Sequence, residues 1–319
     1  MKRLIALMAA ACLATLPALA SDWPSKTITL VVPFPAGGST DAVARLIAQR
    51  LSERLGQPVV VDNRAGAGGN LGTDLVAKAT ADGHTLALST SGPLANNRVL
   101  MKTMPFDPLR DLTPVVAIGE IPMGIAVNPG LKVNSLKEFL ERAGAQPGKL
   151  SIAHPGNGTI GHLTAELLKS QANVSALSVP YKGDTPAIAD VVGGSVDAVA
   201  MPITALVPQI QSGKLIGLAV TSRQRFAGLP QLPTAIEQGV DADASVWMAV
   251  VGPRGLPAPV VDRLNKEINA ILSTPEARAR LAQFGAAPMG GSPQQLSQLM
   301  LNDSAKWKKI VDAARITLD

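Results

Sequence analysis

Aromatic side chains make up only 3% of this 319-residue chain, with five Phe, three Trp and one Tyr. Rings for stacking are scarce, which speaks against a site that grips sugars or bases by their faces. There is one cysteine, Cys12. It falls inside residues 1–20, which read as an export signal: Lys2 and Arg3, an apolar run from Leu4, and Ala18-Leu19-Ala20 as a small-x-small cleavage site before Ser21. Lipidation at Cys12 is the alternative. The preceding Ala9-Ala10-Ala11 lacks the leucine usual in lipoprotein signals and the apolar run continues past Cys12, so the reading is a soluble, exported chain. Cleavage near Ala20/Ser21 leaves no thiol, which excludes disulfides, thiolate nucleophiles and thiolate metal sites. No later apolar run is long enough to cross a bilayer. HExxH and G-x-S-x-G are missing too, so no metal, cofactor or catalytic constellation is expected. Positive charge is thin: the net +5 comes from scattered residues apart from Lys306, Lys308 and Lys309, a solvated face and not a nucleic-acid stripe.

What the chain does have is β-branched runs that end in glycine. Residues 28–34 (ITLVVPF) suit a strand buried on both faces. The run breaks at Pro35-Ala36-Gly37-Gly38 into a helical pattern, with Val43, Leu46, Ile47, Leu51 and Leu55 on one face and Gly56 as the stop. Ser39, Thr40 and Asp41 begin that helix. Such a junction aims unpaired N–H groups and the positive end of a helix dipole outward, a site for a carboxylate or phosphate. The plainer alternative is that Gly37 and Gly38 only permit a tight turn and that Ser39 to Asp41 only cap the helix.

The pattern repeats along the chain. A strand at 58–62, a glycine-rich turn at 63–70, a helix at 71–79 and a strand at 85–89 complete a doubly wound parallel sheet. Ser89, Thr90 and Ser91 then sit at the carboxyl edge where open α/β sheets bind ligands. Residues 112–128 form a long extended crossing into a second alternation: helices at 135–143, 161–170, 186–192 and 205–211, and strands at 149–153, 176–181, 196–201 and 215–221. Residues 245–251 cross back. The helices at 260–272, 275–284 and 293–314 have no strands of their own and are assigned to the first sheet. The expectation is an α/β chain of two lobes: residues 21–122 and 245–319 as lobe 1, residues 123–244 as lobe 2, joined by two crossing strands with a central ligand cleft.

In the second lobe, Gly156, Gly158 and Gly161 match G-x-G-x-x-G, with Asp184 near the place of a ribose-binding acid. His154-Pro155 separates the strand from the first glycine, and export removes the chain from cytosolic cofactors, so a second anion-binding helix start is the better reading. His154 and His162 are either metal ligands or a general base, or they hydrogen-bond their own loop. Lys182 is an anion contact or an exposed lysine. Asp41 and Asp184 repel a bare carboxylate unless they cap helices or meet an ammonium group.

Together VPFPAGGSTD at 32–41, VDNRAGAGGNLG at 61–72, PGNGTIGHL at 155–163 and VPYKGDTPA at 179–187 resemble the exported receptors of tripartite tricarboxylate transporters, the Bug family; LAVTSRQR at 218–225 and LPQLPTAIEQG at 229–239 extend the match. The resemblance implies a type II periplasmic-binding-protein fold closing on a small organic carboxylate, whether di- or tricarboxylate, amino acid or aromatic acid. It implies that the turn from Phe34 to Asp41 supplies one half of the grip, through Ala36, Gly37, Gly38 and Ser39, and that Gly158, Thr159 and His162 supply the other. Thr40, Ser89, Thr90, Ser91, Gly183 and Asp184 complete the candidate site. The implied partners are the membrane permease subunits; the export signal, the scattered charge and the absence of a second apolar run point to a monomer. The alternatives are a receptor presenting its ligand to a membrane sensor, or an exported α/β enzyme acting on a phosphorylated or nucleotide substrate.

Overall fold

The structure is a computed structural model describing residues 23–181 and 183–316; the signal, Cys12, the cleavage site and Lys182 lie outside the described residues. In β1 (Ile28–Val32) every residue but Thr29 is buried. The strand ends two residues before the hydrophobic run does, because Pro33 has no N–H for the ladder. α1 (Ser39–Leu55) lays Val43, Ile47 and Leu51 on the sheet, with Leu46 and Leu55 half-buried at the edge of the same core. Gly56 closes it in the left-handed conformation, φ 69°. β2 (Val59–Asn63), α2 (Asn70–Ala77) and β3 (Thr85–Thr90) follow, with β2 and β3 parallel to β1 on either side.

The sixteen residues of β4 (Leu112–Val127) carry the chain out of this sheet. Beyond it come α3 (Leu136–Ala145), β5 (Ser151–His154), α4 (Ile160–Ala172), β6 (Leu177–Pro180), α5 (Asp184–Val192), β7 (Ala198–Pro202), α6 (Ile203–Gln211) and β8 (Ile216–Val220). β9 (Ser245–Pro253) returns, followed by α7 (Ala258–Ser273), α8 (Pro275–Gln283), β10 (Ala287–Gly290) and α9 (Pro293–Ala314). β4 changes partners along its length: Leu112 to Pro122 pair with β9, while Met123 to Val127 pair with β7 and, from Gly124, with β8. The strand order is β2-β1-β3-β9-β4-β7-β5-β6. The two lobes are thus parallel at their outer strands, and β9 and β4 run antiparallel to their neighbours where the chain crosses.

Two features depart from the sequence reading. The C-terminal helices do have a strand, since β10 pairs antiparallel with β4 around Gly119. Its sequence, APMG, holds a proline and no β-branched residue, which a sheet tolerates only at an edge. The other feature is α9, which does not rest on the first lobe alone. Leu296 and Met300 pack with Trp247 and Val251, whereas Trp307, Ile310 and Val311 pack in the second-lobe core with Leu136, Leu140 and Leu163. At its middle Asp303 accepts from Trp247 Nε1 at 2.8 Å and meets Lys306 Nζ at 2.6 Å.

Candidate functional site

A cleft of about 490 Å³ is lined from both lobes, by Phe34, Thr40 and Ser91 on one side and by Asn157, Thr159 and Ile160 on the other. The first-lobe turn is held by Asp41. Its Oδ2 accepts from the Gly37 N–H and from Arg45 Nε, each at 2.9 Å, and its Oδ1 accepts from Asn63 Nδ2 at 3.0 Å. The same Asn63 amide donates to the Phe34 carbonyl at 3.1 Å. The Arg45 guanidinium, helped by the Gly37 and Asn63 donors, holds the Asp41 carboxyl down to about 2 against the cost of its burial. Both oxygens are thereby committed to the turn, and Asp41 does not line the cleft. The first helical bond of α1 runs from the Ala42 N–H to the Gly38 carbonyl, so the N–H groups of Ser39, Thr40 and Asp41 precede it. Phe34 and Thr40 face the cleft; Ala36, Gly37, Gly38 and Ser39 are solvent-exposed beside it.

Beside this turn stands a wall the sequence reading left out. Ala67, Gly68 and Gly69 all have positive φ, at 48°, 63° and 92°, and Ala67 and Gly68 line the cleft. A side chain on Gly69 would start 2.7 Å from Pro93 Cγ and 3.0 Å from Phe34 Cζ, so glycine is what lets the Phe34 ring approach. After β3 the chain makes a wide helical turn over Gly92–Asn96 and a short helix over Asn97–Leu100. This brings Thr90, Ser91, Asn96, Asn97 and Met101 to the cleft. Ser91 Oγ and Asn96 Oδ1 are buried and have no hydrogen-bond partner among the described residues. Ser89 does not reach the cleft; its hydroxyl pairs with that of Thr73 at 2.9 Å. The glycine run at 66–69 was visible as a motif. Asn96, Asn97, Met101 and Val246 carried no local signal, since only the fold brings them to the cleft.

In the second lobe the turn after β5 is tied by its own side chains. Thr159 caps α4, accepting from the His162 N–H at 3.3 Å and donating its hydroxyl to the Gly156 carbonyl at 2.7 Å. The Gly158 N–H donates to His162 Nδ1 at 3.1 Å, and His154 Nδ1 donates to the Gly156 carbonyl at 3.0 Å. The two imidazoles stack, centroids 4.3 Å apart and planes 16° from parallel. Burial, and then the neighbouring ring, pushes His154 down to about 4, and burial lowers His162 as well. His162, expected in the grip, is buried behind the turn and does not line the cleft; Gly158 and Thr159 do. The first helical bond of α4 runs from Leu163 to Thr159, so the N–H groups of Ile160 and Gly161 precede it. Gly183 donates to the Pro155 carbonyl at 2.9 Å, tying the start of α5 to this turn. Asp184 is half-buried there, its carboxyl raised by burial, and neither Gly183 nor Asp184 lines the cleft.

Among the described residues lining the cleft none carries a formal charge. The α1 and α4 helix starts reach the cleft through Thr40 and through Thr159 and Ile160, and the positive end of a helix dipole favours negative charge.

Residues 43–316 match the family model described as "Tripartite tricarboxylate transporter family receptor". The Bordetella pertussis protein BugT is 39% identical over 297 residues, covering 92% of this chain and 91% of BugT. An R. palustris protein solved with adipate superposes with a TM-score of 0.77 at 39% identity, covering 92% of this chain and 99% of that one. MatC from Rhodopseudomonas palustris, solved with bound malate, gives a TM-score of 0.72 at 33% identity over 91% of this chain and all (100%) of its own.

Proposed function

The chain belongs to the tripartite tricarboxylate transporter receptor family, and we propose that it is a periplasmic receptor that captures a small organic carboxylate for the permease subunits of such a transporter. One observation carries the reading: two glycine-opened helix starts, on different lobes, face one uncharged cleft of about 490 Å³. That volume suits a small organic acid. Two lobes joined by two strands rotate about few residues, so a carboxylate held by α1 and α4 together draws them closed. Charge-assisted hydrogen bonds of about 1.5 to 3 kcal/mol each supply affinity without a cationic side chain. The adipate and malate on the two related structures support the ligand class.

A thermal-shift screen of the mature chain over mono-, di- and tricarboxylates and amino acids tests the proposal. A true ligand at about 100 times its dissociation constant stabilises by about 2.7 kcal/mol, a shift of several degrees. A flat screen, with turnover of a phosphorylated or nucleotide substrate instead, would overturn it.

A further inference from the structure

His154 and His162 stand behind the second-lobe turn and hold it through one ring nitrogen each. His154 Nδ1 donates to the Gly156 carbonyl at 3.0 Å, so its Nε2 is the bare nitrogen, and that atom is buried with no partner among the described residues. His162 is the opposite tautomer. Its Nδ1 accepts the Gly158 N–H at 3.1 Å, and its protonated Nε2 lies 3.7 Å from Glu166 Oε1. We infer that the stacked, neutral imidazoles of His154 and His162 are positioning residues: they fix the turn at 156–160 so that the Ile160 and Gly161 N–H groups face a bound carboxylate, and affinity is lost when either ring takes a proton.

The inference rests on the receptor reading above and adds the device that keeps one half of the grip in shape. A proton on His162 must go to Nδ1, where it points at the Gly158 N–H and replaces an acceptor with a second donor. A proton on His154 must go to Nε2, which has no acceptor among the described residues. With both charged, two imidazolium rings stand 4.3 Å apart. The charged groups acting on the pair are Glu166 and Lys169. Glu166 favours the charged rings and Lys169 opposes them, and Glu166 is already shared with Lys169 Nζ at 2.6 Å and with the Ser178 hydroxyl, which donates to it. The sign follows. Burial lowers both rings from the ordinary imidazole value, so the neutral, competent form is complete above about pH 6.5. Affinity falls as pH drops through the lowered values, by up to about tenfold per pH unit for each proton taken up.

The test compares wild type, His162→Asn and His162→Leu, each checked for folding by circular dichroism. The Asn amide oxygen replaces Nδ1 as an acceptor and does not titrate. The first readout needs no ligand: hydrogen exchange of the Gly158 amide, corrected for intrinsic pH dependence. The second is adipate affinity from pH 7.5 to 4.5, with the variants run in parallel because adipate itself titrates there. The expected result is Gly158 protection lost in acid in wild type and kept in His162→Asn. Wild-type affinity falls at least about tenfold more than that of His162→Asn, and His162→Leu binds weakly at every pH. Identical pH profiles for wild type and His162→Asn, or full affinity in His162→Leu, would overturn the inference. Gly158 protection behaving as expected while no carboxylate binds at pH 7.5 would overturn the receptor reading and, with it, the link from this loop to binding.

Discussion

Gly37 and Gly38 sit side by side in the first turn and answer to different constraints. Gly37 holds φ 86°, which favours glycine, and its N–H anchors Asp41. Gly38 is extended, φ −79° and ψ 171°, and a Cβ there meets only the Pro35 carbonyl at 3.7 Å. Neither a positive φ nor a clash requires a glycine at 38, so beyond a modest loss at the helix N-cap the cost of a side chain falls on the ligand. Gly38→Val is expected to leave the unfolding midpoint near wild type and to weaken carboxylate binding by about 2 to 4 kcal/mol, through a clash and one or two lost hydrogen bonds. Ser39→Pro, with Ser39→Ala as the control for the lost hydroxyl, isolates the amide. Proline suits the first helical position, and the preceding Gly38 is already extended, so the backbone loses only one N–H. Calorimetric titration should show about a tenfold loss for Ser39→Pro if that amide is used. Wild-type affinity in both variants would place the anion elsewhere.

At the scale of elements, α9 was only half legible. Its length and its Pro293 start could be read, but not that its two ends serve different cores, because the helical period of Leu296, Met300, Trp307 and Ile310 says which face is buried and not against what. β10 was missed for the opposite reason: four residues with a proline have no strand pattern, and only the exposed edge of β4 makes them one. The glycine turns were legible because positive φ and helix starts leave local marks. The wall formed by Asn96, Asn97 and Met101 was not, since those residues reach the cleft only by the turn after β3. The α9 reading has a measurable consequence. Asp303 is buried between Trp247 of the returning crossing and Lys306. Asp303→Ala strands the buried indole N–H, while the Lys306 ammonium keeps the Asp243 carbonyl at 2.9 Å, so urea unfolding is expected to show a loss of about 1 to 3 kcal/mol. A change below about 0.5 kcal/mol, the range of an ordinary surface substitution, would mean that α9 does not brace the crossing.

For the whole molecule, the arrangement explains how a cleft without a charged wall can select an acid. On the proposed reading each lobe offers a few amides at one helix start, and the two together solvate the anion from two sides, which would make capture and closure one event. Asp41 and Asp184 do not contradict this: one is committed to its own turn and the other stands outside the cleft. The most direct measurement is a crystal structure of the mature chain with the tightest carboxylate from the screen. The account expects closed lobes, with the carboxylate oxygens within hydrogen-bonding reach, directly or through one water, of amides among Ser39, Thr40 and Asp41 on one side and Ile160 and Gly161 on the other. A carboxylate bound to a single lobe, or paired with a lysine or arginine away from both helix starts, would contradict it.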